Sequence, residues 1–188
     1  MDWFENAVAQ SYEVSIGPRL GPAKNDGKEA RALNRVIRWC DDGSIEYEAD
    51  PRQAEKLSAE CGVEGANSLT TPGARETAAD VASDKELAAG LGTAFRGSAA
   101  RANYVSADRC DAQFASKEVC RFMSKPTTQA WIALKRICRF YNGNPRLIYC
   151  FPRQRAESID VYTDTDWAGC PRTRKSTSGG AVMSVHTQ

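Results

Sequence analysis

Two carboxylates, Asp164 and Asp166, stand where a short β-type run gives way to small and turn-forming residues. Residues 159–163 are mostly β-branched or aromatic, a composition that favours a strand, and a second apolar run covers residues 180–185. The turn between the runs carries three cations: Arg172, Arg174 and Lys175. The pattern predicts a β-hairpin with acid at one strand end and base in its loop.

This hairpin could perform one of two roles. Its carboxylates could bind a divalent metal ion beside a nucleic-acid backbone, whose phosphates the loop cations would contact. Alternatively, Asp164 and Asp166 could cap the turn or pair with Arg172 and Arg174, because acids are common at turns.

The composition narrows the class of protein. A chain of 188 residues can hold one sizeable core or two small ones. No apolar run approaches the ~20 residues of a membrane span, so we expect no membrane segment. Residues 1–10 lack the basic and apolar regions of a signal peptide. We therefore expect an intracellular protein, cytoplasmic or nuclear.

Cysteine and histidine usage argues against several kinds of catalytic site. The seven cysteines form no C-x-x-C pair, and His186 is the single histidine. A zinc site of the usual spacing and a Ser-His-Asp or Cys-His centre are both disfavoured. We expect the cysteines to be reduced, buried thiols.

Charge is distributed unevenly along the chain. Residues 1–89 contain 10 Lys/Arg and 17 Asp/Glu, whereas residues 90–188 contain 15 and 7. This basic half suggests a polyanion such as a nucleic acid as the partner. Candidate contacts on one predicted helix are Lys135, Arg136 and Arg139. These three side chains could equally form the solvated face of an amphipathic helix.

Periodicity and turn signals predict an α+β chain. A hairpin is expected over residues 32–48 around the turn Asp41–Asp42–Gly43, and a helix is expected to begin at Asp50–Pro51. Apolar residues recur at helical spacing over residues 128–141, the clearest helix. Residues 74–89 show no convincing stripe and are predicted to belong to a linker.

Several blocks, in order, carry a family resemblance. In the second half they are CRFMSKP at 120–126, Trp131 with LKRICR at 134–139, VYTDTDWAG at 161–169 and RKSTSG at 174–179. In the first half they are LNRVIRW at 33–39, IEYEAD at 45–50 and LTTP at 69–72. Together they resemble the polyprotein of copia-type LTR retrotransposons, in the segment that joins reverse transcriptase to ribonuclease H. One departure is Arg109–Cys110–Asp111, where the family usually has Arg-Pro-Asp, which puts the local helix start in doubt.

The resemblance implies a partial reverse-transcriptase palm and thumb followed by a helical connection and an incomplete ribonuclease H-like sheet. The implied boundaries are 1–66 for the palm end and thumb, 67–92 for a linker, 93–157 for the connection and 158–188 for the first ribonuclease H strands. The parent function would be RNA-directed DNA synthesis with cleavage of the RNA strand of an RNA–DNA hybrid.

The resemblance also implies which residues would bind metal. The family's first Mg²⁺ carboxylate corresponds best to Asp164, with Asp166 as the fallback because the Asp-x-Asp repeat leaves the register ambiguous. The polymerase motif Tyr-x-Asp-Asp does not occur, and the partner carboxylates of the ribonuclease would follow Gln188. We therefore expect a chain that is inactive alone, or alternatively a non-enzymatic nucleic-acid-binding remnant.

Overall fold

The computed structural model describes residues 2–155 and 157–185, apart from the side chains of residues 2 and 185. The helices in this part are α1 (Asp2–Ala9), α2 (Pro51–Glu60), α3 (Ala78–Ser83), α4 (Ala89–Ser106), α5 (Cys110–Cys120) and α6 (Thr128–Gly143). The strands are β1 (Glu29–Ala32), β2 (Arg35–Trp39), β3 (Ile45–Glu48), β4 (Ile148–Phe151), β5 (Ser158–Thr165) and β6 (Ser178–Val185). The expected α+β composition is confirmed. Among these described helices, none has the length and apolar character needed to cross a membrane.

The chain forms two compact units. One comprises Met1–Glu48 with Tyr149–Arg153, and the other comprises Ala49–Ile148 with Gln154–Gln188. Strand β4 joins a sheet with strands from the start of the chain, while α2 packs with later helices. The domain boundaries implied by the resemblance stay a prediction.

The first unit is built on an antiparallel sheet in the order β1-β2-β3-β4. The predicted β2–β3 hairpin is confirmed, with Ile37 opposite Tyr47 and Trp39 opposite Ile45. Gly43 has a φ of +82°, which glycine adopts without the steric cost of a side chain, and this allows the tight turn. In the same turn, Asp42 accepts hydrogen bonds from the hydroxyl and the backbone N–H of Ser44, which lower the pKa of Asp42.

Helix α2 begins as its sequence predicts. Asp50 is the N-cap, its carboxylate accepts a hydrogen bond from the backbone N–H of Arg52, and Pro51 occupies the first turn. Leu57 on its apolar face is fully buried in the second unit. The core that receives it consists of residues from α2, α4, α5 and α6, including Phe95, Val119, Leu134 and Ile137.

Residues 67–92, expected to be a linker, contain the short helix α3. Thr77 and Asp80 form a reciprocal capping box that stabilises its start. The segment is also hydrogen-bonded to α6 and to the loop before it: Leu69 N donates to Arg139 O, and Leu87 N donates to Pro126 O. Capping and backbone hydrogen bonds therefore hold this segment in place.

The second unit also contains the predicted hairpin that carries Asp164 and Asp166. Strand β5 pairs antiparallel with β6 over eight residues each, so that Val161 lies opposite Val182 and Asp164 opposite Gly179. Apolar side chains on the hairpin are largely exposed, for example Ile159 at 70% and Val182 at 70%. The hairpin is held to the helices chiefly through the loop that joins its strands.

Candidate functional site

Asp164 lies near the end of β5 and is exposed to solvent. One of its carboxylate oxygens accepts a hydrogen bond of 2.9 Å from the backbone N–H of Thr165. The hairpin therefore presents the Asp164 carboxylate at a fixed strand end, as the sequence predicts. In the described part of the chain, no cation of the loop forms an ion pair with this carboxylate.

Asp166 closes the end of the hairpin. Its carboxylate accepts a 2.6 Å hydrogen bond from the backbone N–H of Thr177, and its own N–H donates to Thr177 O at 3.1 Å. A Cβ atom at Gly169 would collide with this carboxylate, so glycine permits the close approach of the loop. These contacts give Asp166 the turn-capping role that was the alternative to metal binding.

Asp164 and Asp166 are the two carboxylates that the sequence predicts as ligands of Mg²⁺. Mg²⁺ is commonly held by one or two carboxylates together with substrate phosphates and water, whereas a two-metal centre needs further oxygen ligands. In residues 2–155 and 157–185 no group of three His, Cys, Asp or Glu side chains is placed to hold a metal ion. A Mg²⁺ site at Asp164 therefore stays a prediction.

Arg172 makes the strongest contacts in the loop between the strands. Its guanidinium donates two hydrogen bonds to the carboxylate of Glu76, at 2.6 and 2.9 Å. The same group lies 2.7 Å from Asp84 Oδ2 and 5.0 Å from the centre of the Phe122 ring. Its predicted phosphate contact stays a prediction, and the structure gives Arg172 a second role in anchoring the loop to the segment before α4.

Asp84 is the buried partner in this cluster, with its side chain 4% exposed. Its other oxygen accepts hydrogen bonds from Gln129 N at 2.9 Å and from the Thr128 hydroxyl at 3.0 Å, at the start of α6. Burial alone would raise the pKa of Asp84, but these hydrogen bonds and Arg172 outweigh burial and lower it. One carboxylate thus joins the loop, the α3 segment and α6.

The remaining loop cations point to solvent. The side chains of Arg174 and Lys175 are exposed, and Arg174 has a φ of +56°. Beside them, Trp167 is 93% exposed. Of the three predicted loop cations, Arg174 and Lys175 are the two that a phosphate backbone could reach without disrupting the Glu76 and Asp84 ion pairs.

The cations of α6 border a groove of about 1190 Å³ in the second unit. Arg136 donates to the Thr71 hydroxyl at 2.7 Å, and Arg139 donates to Asn67 O at 2.7 Å. The Lys135 ammonium lies 5.6 Å from the centre of the Trp131 ring. Arg136 and Arg139 therefore hold the 67–71 segment against α6.

The groove brings some predicted site residues together and leaves others out. Four of them line it: Lys135, Arg136, Arg139 and Asp166. Asp164, Arg172, Arg174 and Lys175 are not among the lining residues. The α6 cations and the loop cations are thus not arranged around a single cavity.

A thiol that the sequence did not single out lies in the same groove. Cys170 is buried, and Arg121 donates a hydrogen bond of 3.2 Å to its sulfur. Burial alone would raise the pKa of Cys170, but hydrogen bonds from Thr173 and from Arg121 outweigh it and lower the pKa to about 7. Because Arg121 lies 49 positions from Cys170 along the chain, no local motif indicates this contact.

Comparison with known proteins identifies relatives for half of the chain. It is 32% identical over 94 residues to the retrovirus-related Pol polyprotein from transposon RE2 of Arabidopsis thaliana, and the match covers 50% of this chain and 6% of the polyprotein. The corresponding polyprotein from transposon RE1 of the same plant is 33% identical over 94 residues, with the same coverage. Half of this chain is thus similar to part of two retrotransposon Pol polyproteins.

A third similar protein is the uncharacterized mitochondrial protein AtMg00810 of Arabidopsis thaliana, which is 32% identical over 85 residues. That match covers 45% of this chain and 35% of the relative. The chain therefore spans well under two thirds of each of these proteins. No family model and no solved structure matches it.

Proposed function

We propose that the chain is a segment of a copia-type reverse transcriptase and ribonuclease H, running from the end of the palm through the thumb and connection into the first ribonuclease strands. The relationship to retrotransposon Pol polyproteins supports this proposal. The observation that carries the ribonuclease part is an antiparallel hairpin that presents Asp164 at one strand end.

In the longer protein, Asp164 would be a ligand of Mg²⁺. The metal would supply Lewis-acid stabilisation of the phosphoryl group in hydrolysis of the RNA strand of an RNA–DNA hybrid. The contribution of this chain would be to hold the Asp164 carboxylate at a fixed strand end. Asp166, whose carboxylate is bonded to Thr177 N, would close the turn beside it.

The 188-residue chain alone is proposed not to cleave a hybrid. Two-metal phosphoryl transfer needs more oxygen ligands than Asp164 and Asp166 provide, and one oxygen of each already accepts a backbone hydrogen bond. The chain would thus contribute one edge of the metal centre.

A second candidate function is non-catalytic binding of nucleic acid. The observation that favours it is the pair of exposed cations Arg174 and Lys175 on a loop that Arg172 anchors. Cations held on an anchored loop can contact successive phosphates with little ordering cost, and such contacts position a duplex without reading its sequence.

Binding can be measured by fluorescence anisotropy with a labelled RNA–DNA hybrid between 50 and 200 mM salt. We expect the affinity to fall steeply with salt, since each phosphate contact adds about one unit to the slope of log affinity against log salt. Replacing both Arg174 and Lys175 by alanine should reduce the slope by about two units. Lys24→Ala, an exposed lysine of the other unit, is the matched control and should leave the slope unchanged.

An affinity that did not change over this range of salt would contradict the second candidate function, non-catalytic binding of nucleic acid. An unchanged slope in the Arg174 and Lys175 variant, with binding otherwise intact, would place the phosphate contacts on other cations.

A further inference from the structure

The groove of the second unit, which α5, α6 and residues 69–76 line, has an apolar wall that solvent reaches. Its volume is about 1190 Å³, and pockets that bury small ligands measure about 300–1,000 Å³. Phe114 of α5 and Ile132 of α6 lie on this wall and are 63% and 58% exposed. Pro72 and Phe122 extend it. The groove can therefore bury an apolar chain, because covering exposed apolar surface is favourable.

Two arginines of α6 stand beside this wall and contact neutral groups. Ile132, Arg136 and Arg139 follow one another at spacings of four and three residues, so they share one face of the helix. Arg136 donates to the Thr71 hydroxyl, and Arg139 donates to Asn67 O. Arg136 Nε is enclosed and has no hydrogen-bond acceptor in the part of the chain that the structure describes. Within the same residues, neither guanidinium forms an ion pair.

The carboxylates that line the groove are engaged with other groups. There are four of them: Glu76, Asp80, Glu118 and Asp166. They accept hydrogen bonds, in that order, from Arg172, Thr77, Arg121 and Thr177. The groove therefore combines an apolar wall with two arginines whose described partners are neutral, and this charge complements a ligand with a single anionic group. A nucleic-acid backbone, which carries a continuous row of phosphates, would leave the apolar wall uncovered.

We propose that the groove binds an amphiphilic carboxylate, a small molecule with an apolar chain and one carboxylate group. The chain lies along Phe114 and Ile132, and the carboxylate accepts hydrogen bonds from the guanidinium groups of Arg136 and Arg139. Such charge-assisted hydrogen bonds are about twice as strong as neutral ones, so they fix one end of the ligand while the chain covers the wall. This inference goes beyond the proposed metal and nucleic-acid roles and does not rest on them.

Titration of the isotope-labelled 188-residue protein with octanoate, followed by NMR, tests the proposal. We expect saturable shifts of the backbone signal of Ile132 and of the Nε–Hε signals of Arg136 and Arg139. Octanol has the same chain without the charge, and it should bind about tenfold more weakly because it lacks the charge-assisted hydrogen bonds. Acetate, which has the carboxylate without the chain, should bind more weakly than octanoate because it buries little apolar surface.

Arg139→Gln tests the anionic end of the ligand. It removes the charge and keeps an amide that can donate to Asn67 O, so it should weaken octanoate binding about tenfold and leave octanol binding unchanged. Arg96→Gln is the matched control. Arg96 also donates through Nε to a backbone carbonyl, that of Met123, but it is not among the residues that line the groove. This control should not change the affinity for octanoate.

Ile132→Ser tests the apolar end. It should weaken the binding of octanoate and octanol alike, by about five- to tenfold, because the chain loses apolar surface to cover. Leu91→Ser is the matched control, since Leu91 is a half-exposed leucine of α4 outside the groove. It should change neither affinity.

Octanol that bound as tightly as octanoate would overturn the proposal, as would shifts confined to residues outside the groove. If an acidic amphipathic peptide shifted the groove signals and octanoate shifted none, the occupant would be a protein and the proposal would be wrong. Changes of these signals on dilution of the protein alone would identify a second copy in the groove and would also overturn it. If a variant does not fold, the comparison of octanoate with octanol in the original protein decides the question.

Discussion

Replacing Arg172 by alanine is expected to destabilise the second unit by about 2–3 kcal/mol. The substitution removes two hydrogen bonds to Glu76 and leaves the nearly buried carboxylate of Asp84 without its cation. Removal of one partner of a buried ion pair costs about 3–5 kcal/mol, and the partial exposure of Arg172 and Glu76, 22% and 30%, reduces that figure. Chemical denaturation of the two proteins measures the difference.

The matched control is Arg174→Ala in the same loop, which removes an exposed cation and should change the free energy of unfolding by less than about 0.5 kcal/mol. Arg172→Lys keeps the charge but cannot make the two-pronged contact with Glu76, so it should recover only part of the stability. Equal effects of Arg172→Ala and Arg174→Ala would contradict the anchoring role of Arg172.

The effect of Arg172→Ala should depend on pH. The pKa of Asp84 is lowered in the folded state, so its contribution to stability is present above the unfolded value of about 3.9 and is lost as pH falls through the folded value. Below the folded pKa the carboxyl group of Asp84 is protonated, so the loss of Arg172 no longer leaves an unpaired buried charge. The difference in stability between the variant and the original protein should therefore shrink below about pH 4. A difference that stayed constant down to pH 3 would exclude Asp84 as its source.

Replacing Arg109 by alanine is expected to be at least as damaging, at about 3 kcal/mol. Arg109 is 3% exposed, and its guanidinium lies 4.7 Å from the centre of the Tyr141 ring. Two of its nitrogens contact the carboxylate of Asp111, one at 2.7 Å. The alanine variant would lose this ion pair and the contact with the aromatic ring, and it would open a cavity between the start of α5 and the end of α6.

Thermal unfolding followed by circular dichroism provides the measurement for Arg109. Arg109→Lys should also be strongly destabilising, because a lysine cannot make the planar contact with Tyr141 and the forked contact with Asp111 together. Lys125→Ala, in an ion pair whose members are 73% and 63% exposed, should be nearly neutral. An Arg109→Lys variant as stable as the original protein would contradict a stabilising role for the planar guanidinium of Arg109.

Local signals in the sequence predicted most of the elements but not their long-range contacts. The Asp41–Asp42–Gly43 turn identified the β2–β3 hairpin, and Asp50–Pro51 identified the start of α2, because each signal acts within a few residues. The apolar stripe over 128–141 likewise identified α6. The hairpin, the start of α2 and helix α6 could be predicted because residues close to one another along the chain determine them.

The partners of the site residues could not be predicted in the same way. Arg172 bonds to Glu76, 96 positions earlier, and nothing in the local pattern distinguishes this acid from other surface acids. The alternative role for Arg172 was a pair with Asp164 or Asp166, whereas the structure pairs it with Glu76 and Asp84. The start of α5 illustrates the same point, because Arg109 is buried through contact with Tyr141 of α6.

The β5–β6 hairpin shows how far the site itself was predictable. Both strands and the strand-end position of Asp164 agree with the sequence pattern. The capping contact of Asp166 depends on Thr177, across the loop, and had been only one of two alternatives. A strand pattern locates a carboxylate, whereas its ligands and partners depend on tertiary contacts.

We propose that this chain carries one edge of a ribonuclease H metal centre and does not complete it. The direct measurement incubates the purified 188-residue protein with a labelled RNA–DNA hybrid in the presence of Mg²⁺ and resolves the products on a denaturing gel. We predict that the hybrid remains intact for the original protein and for Asp164→Asn alike. Mg²⁺-dependent cleavage of the RNA strand that Asp164→Asn abolishes would contradict the claim and would show that the chain contains a complete centre.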